Sequence, residues 1–180
     1  KTETIKSAYF ENGKKVSATT SQDFIITKST AKNITLENQP SEAYSVGGAS
    51  TLVDGIKGNL NNHRKSWLGF MGKDVVATID LGTKTDFSTI QFSTLNKKES
   101  WIYIPKSIKI LVSDDGKNFK EIKTISTSEI EKANGLMKID LPKQQAKYVK
   151  IFIENLGKIP EEQPGAGNKP WLFIDEISVK

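Results

Sequence analysis

Asn61-Asn62-His63-Arg64-Lys65-Ser66-Trp67 is the stretch whose residue types best suit chemistry, because planar polar side chains stand there beside an aromatic ring. Sugar recognition needs that pairing: a ring face for the sugar's C–H surface, and forked polar groups for adjacent hydroxyls. His63 and Arg64 are the single histidine and the single arginine of the chain, every other basic residue being Lys. A guanidinium offers a fixed fork of donors that an ammonium lacks, so a lone Arg among lysines points to a geometric requirement. The competing reading is a surface loop with an incidental Arg.

Other chemistries fare worse. Glycoside hydrolysis needs two carboxylates across the scissile bond, and the candidates are Asp114-Asp115, Glu161-Glu162 and Asp175-Glu176. Neighbouring residues on a strand point to opposite faces, so Asp175 and Glu176 are not expected to converge, and Asp114-Asp115-Gly116 reads as a β-turn. No Gly-x-Ser-x-Gly elbow and no phosphate-binding glycine loop occurs. The absence of cysteine removes disulfides, thiolate nucleophiles and Cys-ligated zinc, and one histidine cannot make a His-rich zinc site. The chain is therefore expected to have no catalytic residues of its own. A hard cation remains open: calcium takes six to eight oxygens, and Asp54-Gly55 puts a carboxylate in a turn just ahead of the carbonyls of Lys57-Gly58-Asn59. Asp54 would otherwise serve only to cap that turn. The net charge of +5 comes from scattered lysines, which suit solvated strand faces better than nucleic-acid readout, so no nucleic-acid partner is expected. No run of 18 apolar residues is present, and no membrane insertion is expected.

The elements that must position these residues read as strands. Residues 75–81, 87–95, 108–112 and 149–153 alternate apolar with small or polar side chains, and Asn12-Gly13, Asp115-Gly116 and Asn134-Gly135 are hairpin-type breaks. Many short strands so punctuated predict an all-β antiparallel sandwich or jelly roll, with at most one helical turn over 129–134. At 180 residues and 36% hydrophobic content the chain suits one domain with a small extra piece. A seam is expected near residue 28, after two or three strands that open at Lys1 in mid-strand, with neither an initiator Met nor a signal-peptide core. The chain accordingly reads as a fragment of something longer.

Leu52-Val53-Asp54-Gly55, Trp67, Ala77-Thr78-Ile79-Asp80-Leu81-Gly82, Ser113-Asp114-Asp115-Gly116-Lys117-Asn118-Phe119, Tyr148-Val149-Lys150-Ile151 and Asp175-Glu176-Ile177 occur in that order. Together they resemble the discoidin, or coagulation factor 5/8 type C, domain over residues 29–180, with residues 44–58 as its opening loop. The resemblance implies a galactose-binding-like sandwich. Residues 1–28, through Thr4-Ile5-Lys6-Ser7-Ala8-Tyr9-Phe10-Glu11-Asn12-Gly13-Lys14, resemble the last strands of an immunoglobulin-like module that follows the catalytic barrel of bacterial β-N-acetylhexosaminidases. Gly47-Gly48, Trp101-Ile102-Tyr103-Ile104-Pro105 and Trp171-Leu172-Phe173-Ile174 look like the variant that ends gut Bacteroides chitobiase-like hexosaminidases.

In sugar-binding relatives the positions of Asp54 and Glu176 often share a structural calcium, although the family's Thr before Trp67 is missing here and the interval from Asp54 is longer. An edge-strand surface position is the other reading of Glu176. The relatives' ligand loops correspond to 61–67, 96–101 and 161–171. This implies His63, Arg64, Trp101 and Trp171 as ligand-binding candidates, with core packing as the competing role for each Trp and a structural position for Trp67. Lys97, Lys98 and Glu99 stand where relatives often carry Arg and Asn, which weakens an assignment to galactose. The implied function is a noncatalytic carbohydrate-binding module of a periplasmic, surface or secreted hexosaminidase. Its partners would be an N-acetylhexosamine- or galactose-containing glycan and the catalytic domain of the same polypeptide. A purely structural module is the alternative. Phospholipid-surface adhesion suits the polar 61–66 loop poorly.

Overall fold

A computed structural model of the chain describes residues 1–45 and 47–180; Val46, within the expected opening loop, lies outside the described residues. In chain order the strands are β1 (Thr2–Ser7), β2 (Phe10–Glu11), β3 (Lys14–Lys15), β4 (Thr20–Ile25), β5 (Asn33–Leu36), β6 (Leu68–Met71), β7 (Val75–Ser93), β8 (Ser107–Ser113), β9 (Lys120–Ser126), β10 (Leu136–Glu154), β11 (Trp171–Ile174) and β12 (Ser178–Val179). Among the described residues there are two short α-helices, α1 (His63–Ser66) and α2 (Thr127–Ala133), and three 3-10 turns at Glu42–Tyr44, Gly48–Leu52 and Lys98–Ser100. None of the described helices is long and apolar enough to cross a membrane.

The main sheet has the order β12-β7-β10-β8-β9, and β5 also pairs with β7. Alternation drives it: Val75, Ala77, Ile79 and Leu81 on β7, with Val149, Ile151 and Ile153 on β10, all turn into the core. The two expected strands 75–81 and 87–95 form one continuous strand to Ser93, because Thr85 and Asp86 stay paired with Ala146 and Gln145 across the polar middle. Register shifts between Asp140 and Gln144 and between Ala146 and Tyr148 absorb the bend. Pro142, which has no N–H to give a ladder, falls in the first of them. The second layer is β6 paired with β11, whose Leu68, Phe70, Leu172 and Ile174 join Ile79, Ile90, Ile110 and Ile151 in one core. The result is the expected antiparallel sandwich.

Turn chemistry divides more finely than the sequence reading did. Asn12 and Gly13, at φ 47° and 77°, form a tight hairpin between β2 and β3. Asn134 and Gly135 instead end α2, and a Cβ on Gly135 would lie 2.5 Å from the Thr94 carbonyl oxygen. That helix starts earlier than the expected turn over 129–134, since Ser126 and Glu129 build a capping box ahead of Thr127.

β1 to β4 form two small hairpins in which nearly every residue is exposed, and the first buried residue of the chain is Ser29. Beyond β4 the chain is tied to the sandwich: Lys28 N donates to the Val179 carbonyl at 2.9 Å, and Ser29 Oγ donates to the Ile177 carbonyl at 2.7 Å.

Under the loops at one end sits a second apolar cluster of Trp67, Leu95, Ile102 and Phe173. Trp67 is 1% exposed and lies so close over Gly58 that a Cβ there would come within 2.2 Å of its ring. Trp67→Ala is expected to cost about 3–5 kcal/mol, the range for removing a large buried aromatic, measured by urea denaturation. A cost under about 1 kcal/mol would contradict this role.

Candidate functional site

The segment between β11 and β12 controls the loop that leads to Trp67. Asp175 accepts from Ser93 N at 2.6 Å and from Gly58 N at 3.0 Å, while Glu176 Oε2 accepts from Gly55 N at 2.9 Å. Asp175 and Glu176 were expected on opposite faces of a strand; instead both reach the 54–58 loop, because they lie outside any strand and the alternation rule does not apply. Nor is Glu176 a surface residue, at 3% exposed. Asp54, half-buried, caps its own turn by accepting from Ile56 N at 2.7 Å.

Burial dominates the electrostatics of these carboxyl groups, with the Lys57 charge a smaller opposing pull on Asp175. Burial pushes the Glu176 carboxyl up to about 8, and the charges of Asp54 and Asp175 push the same way. Burial also raises Asp54 and Asp175. Glu176 Oε1 is buried with no hydrogen-bond partner among the described residues. No group of three or more His, Asp or Glu among the described residues is placed to hold a metal, so a cation here would need carbonyl oxygens too. The Asn59 carbonyl already accepts from Trp67 Nε1 at 3.2 Å and Asn62 N at 3.1 Å, which favours the carbonyls of Lys57 and Gly58.

The three loops expected at one end do meet. Residues 61–66, expected as a loop, contain the one-turn helix α1, with Asn62 Oδ1 accepting from Arg64 N at 3.3 Å and Ser66 Oγ accepting from Asn59 N at 3.1 Å. His63 turns inward, its ring centroid 6.4 Å from that of Trp67 and 5.9 Å from that of Phe173. Lys97 Nζ lies 3.1 Å from His63 Nε2 and 3.3 Å from the Leu60 carbonyl. Burial and the Lys97 charge hold the His63 pKa below its usual value, which favours the neutral ring, whose Nε2 can accept a hydrogen bond from the ammonium. The third loop joins through Trp171, whose N donates to the Trp101 carbonyl at 2.8 Å and whose carbonyl accepts from Tyr103 N at 3.1 Å.

The three tryptophans divide. Trp67 is core. Trp171 is half-buried, its centroid 5.2 Å from Tyr44 and 5.8 Å from Phe173. Trp101 is 37% exposed, contrary to a core plug: its backbone is in the left-handed region at φ 60°, and its indole lies over Gly165, where a Cβ would come within 2.5 Å of Nε1. A bulky residue is rarely held there. Arg64 is exposed, and no hydrogen bond or ion pair among the described residues engages its guanidinium. Tyr44, Lys97 and Phe173 were not singled out as site residues. Tyr44 reaches Phe173 at 4.8 Å from a distant turn, a contact no local pattern announces.

The family model of the F5/8 type C domain matches residues 25–176. No curated protein matches the sequence. Among solved structures, the chain is similar to chitosan-binding module 1 of a chitosanase/glucanase from Paenibacillus sp., at TM-score 0.59 and 16% identity over 86% of this chain and 98% of that one. Module 2 of the same enzyme, in complex with chitotriose, gives TM-score 0.56 and 14% identity over 84% of this chain and 98% of that one. A fucose-binding module of Streptococcus pneumoniae gives TM-score 0.56 and 18% identity over 86% and 97%. At these identities the likeness is one of fold.

The raised Glu176 pKa has a pH signature in chelator-treated protein. The folded state holds a proton that the unfolded state releases, so stability present below about 4.5 is lost as pH rises towards about 8. His63, lowered from 6.5, contributes the opposite slope below that value, so the readout is the difference between wild type and Glu176→Gln. The denaturation midpoint of the variant relative to wild type is expected to rise steadily between those limits; a constant difference would contradict a buried, proton-bearing Glu176.

Proposed function

The chain belongs to the F5/8 type C domain family, and within it we propose a noncatalytic glycan-binding module whose ligand rests against Trp101 and the half-buried rings of Tyr44 and Trp171, which the buried Phe173 supports from beneath. His63 and Arg64 would supply hydrogen bonds at its edge. One observation carries this reading: an indole kept exposed at φ 60° on Gly165, one hydrogen bond from a second, half-buried indole. A fold needs no ring there, whereas a pyranose does. The similar structures, a chitosan-binding module, a second module in complex with chitotriose and a fucose-binding module, support the same class.

The finer proposal is an N-acetylhexosamine- or galactose-containing glycan, bound by an accessory module of a secreted, periplasmic or surface β-N-acetylhexosaminidase whose catalytic residues lie in another part of the polypeptide. A single shallow site binds weakly, so the module would act by raising the enzyme's local concentration on its substrate. The exposed hairpins of β1 to β4 support the matching proposal that residues 1–28 complete a neighbouring immunoglobulin-like module, since a two-stranded sheet with no core is marginal alone. A domain whose only task is to pack on that enzyme is the second reading, favoured by the burial of Trp67.

Calcium is the remaining part of the proposal. Asp54 and Glu176, with the carbonyls of Lys57 and Gly58, would hold it, and the orphaned Glu176 Oε1 beside two further carboxylates supports a cation there. Its positive charge would pin the C-terminal segment to the 54–58 loop. Calorimetric titration into chelator-treated protein is expected to give saturable heat with Kd at or below about 1 mM, as for extracellular modules, and Glu176→Gln to abolish it. No heat at millimolar calcium would remove the assignment.

Glycan arrays and amide-shift titration test the main reading, with saturable shifts expected at His63, Arg64 and Trp101. Trp101→Gly is the discriminating variant. Glycine is at ease at φ 60°, so the melting temperature should move by no more than a few degrees while affinity falls more than about tenfold, or 1.4 kcal/mol. A structural module would give no saturable response with either protein.

A further inference from the structure

A cleft of about 220 Å³ opens beside the aromatic patch, between the 96–105 loop, the start of α2 and residues 156–163. Its lining includes neither His63 nor Trp171. Tyr103, Ile104 and Pro160 give it an apolar wall, and Asn96 and Gln163 bring amides to the rim. Lys98 and Glu131 also line it, and neither is in an ion pair among the described residues. No hydrogen bond among the described residues engages the side-chain amides of Asn96 or Gln163.

The wall is built rather than incidental. Tyr103 is 5% exposed, and its hydroxyl donates to the Pro164 carbonyl at 2.8 Å, fixing the ring against the third loop. That loop is strapped on itself: Ile159 N donates to the Asn168 carbonyl and Gly167 N to the Ile159 carbonyl, each at 3.0 Å. Drug-sized ligands occupy roughly 300–1,000 Å³, so this cleft suits a single ring. An apolar wall with unengaged amides at the rim is the surface a pyranose fits, C–H face inward and hydroxyls outward.

The cleft is also continuous with the patch. Lys97 faces His63, whereas its neighbour Lys98 lines the cleft, and consecutive Cα atoms are only about 3.8 Å apart. Trp171 in the patch and Tyr103 in the cleft are joined directly by a backbone hydrogen bond of 3.1 Å. One width of chain therefore separates the two.

We propose that the cleft lined by Tyr103, Pro160, Asn96 and Gln163 is a second pyranose subsite, so that the domain grips a glycan chain along its length rather than one terminal sugar. This rests on the glycan-binding reading above. A chain seated on Trp101 and Trp171 continues over the 96–101 loop, and its next accessible ring enters the cleft.

The test is the dependence of affinity on chain length, using N-acetylglucosamine with its β-1,4-linked dimer to tetramer, and galactose with the corresponding β-1,4-linked series. Affinity is expected to rise at least tenfold from monomer to tetramer in the series that binds. Amide shifts at Tyr103, Glu131 and Gln163 should appear only with the longer members. The Asn96→Ala/Gln163→Ala double variant, which removes two rim amides without disturbing the core, should keep monosaccharide affinity within about twofold and lose the length advantage. Equal affinity for monomer and tetramer, or a length advantage that survives the double variant, overturns the second subsite while leaving the first intact. If neither series binds at any length, the ligand class proposed above fails and the subsite fails with it.

Discussion

Two buried carboxylates, Asp175 and Glu176, hold the functional end of this molecule together. They take the backbone N–H groups of Gly55, Gly58 and Ser93, and so fasten the segment before the last strand to the loop that opens the sandwich. Everything at the candidate site hangs from that fastening. Gly58, held by Asp175, lies under the Trp67 ring; Trp67 in turn bonds the Asn59 carbonyl and carries α1; α1 sets His63; and His63 receives Lys97 from the next loop. Burying carboxylates so near one another is costly, as the raised Glu176 pKa records, and removing either would leave buried N–H groups unpaired as well.

The sheets take little part in this and gain freedom from it. The core of β7, β10 and their neighbours is continuous and apolar, so the sandwich does not depend on what the loops carry. Lys97 illustrates the consequence. The Lys97 side chain lies beside the His63 ring and the Leu60 carbonyl, with no ion pair among the described residues, so this loop differs from the Arg- and Asn-bearing version of relatives without altering the strands beneath.

Much of the fold was legible in the sequence, because alternation with period two is a direct image of one buried and one open face. Residues 75–81 and 149–153 read correctly as strands for that reason. The polar middle of β7, around Thr85 and Asp86, was not legible: its strand character comes from pairing with β10, which lies some 60 residues away and leaves no local pattern. Asp175 and Glu176 were not legible, because β11 ends at Ile174 and the alternation of faces ends with it. Within the site, His63 and Arg64 stood out by rarity and Trp101 and Trp171 by resemblance. Tyr44, Phe173 and Lys97 did not, since their roles arise from contacts between loops far apart in the chain.

Trp101 separates what the fold requires from what it merely permits. A side chain in the left-handed region costs of order 1–3 kcal/mol, and the ring recovers less burial than an interior Trp, since it remains 37% exposed. Glycine would relieve the backbone at once. The loop nevertheless fixes the conformation firmly: Ser100 N and Ile102 N both donate to the Lys97 carbonyl, and Trp101 N donates to that of Lys98. Gly165 has no Cβ where the indole lies, so the third loop leaves the space that the second one fills. Two segments more than sixty residues apart are thus matched to hold one exposed ring in a strained pose. Stability alone gives no reason for that match, whereas a ligand that stacks on the ring does.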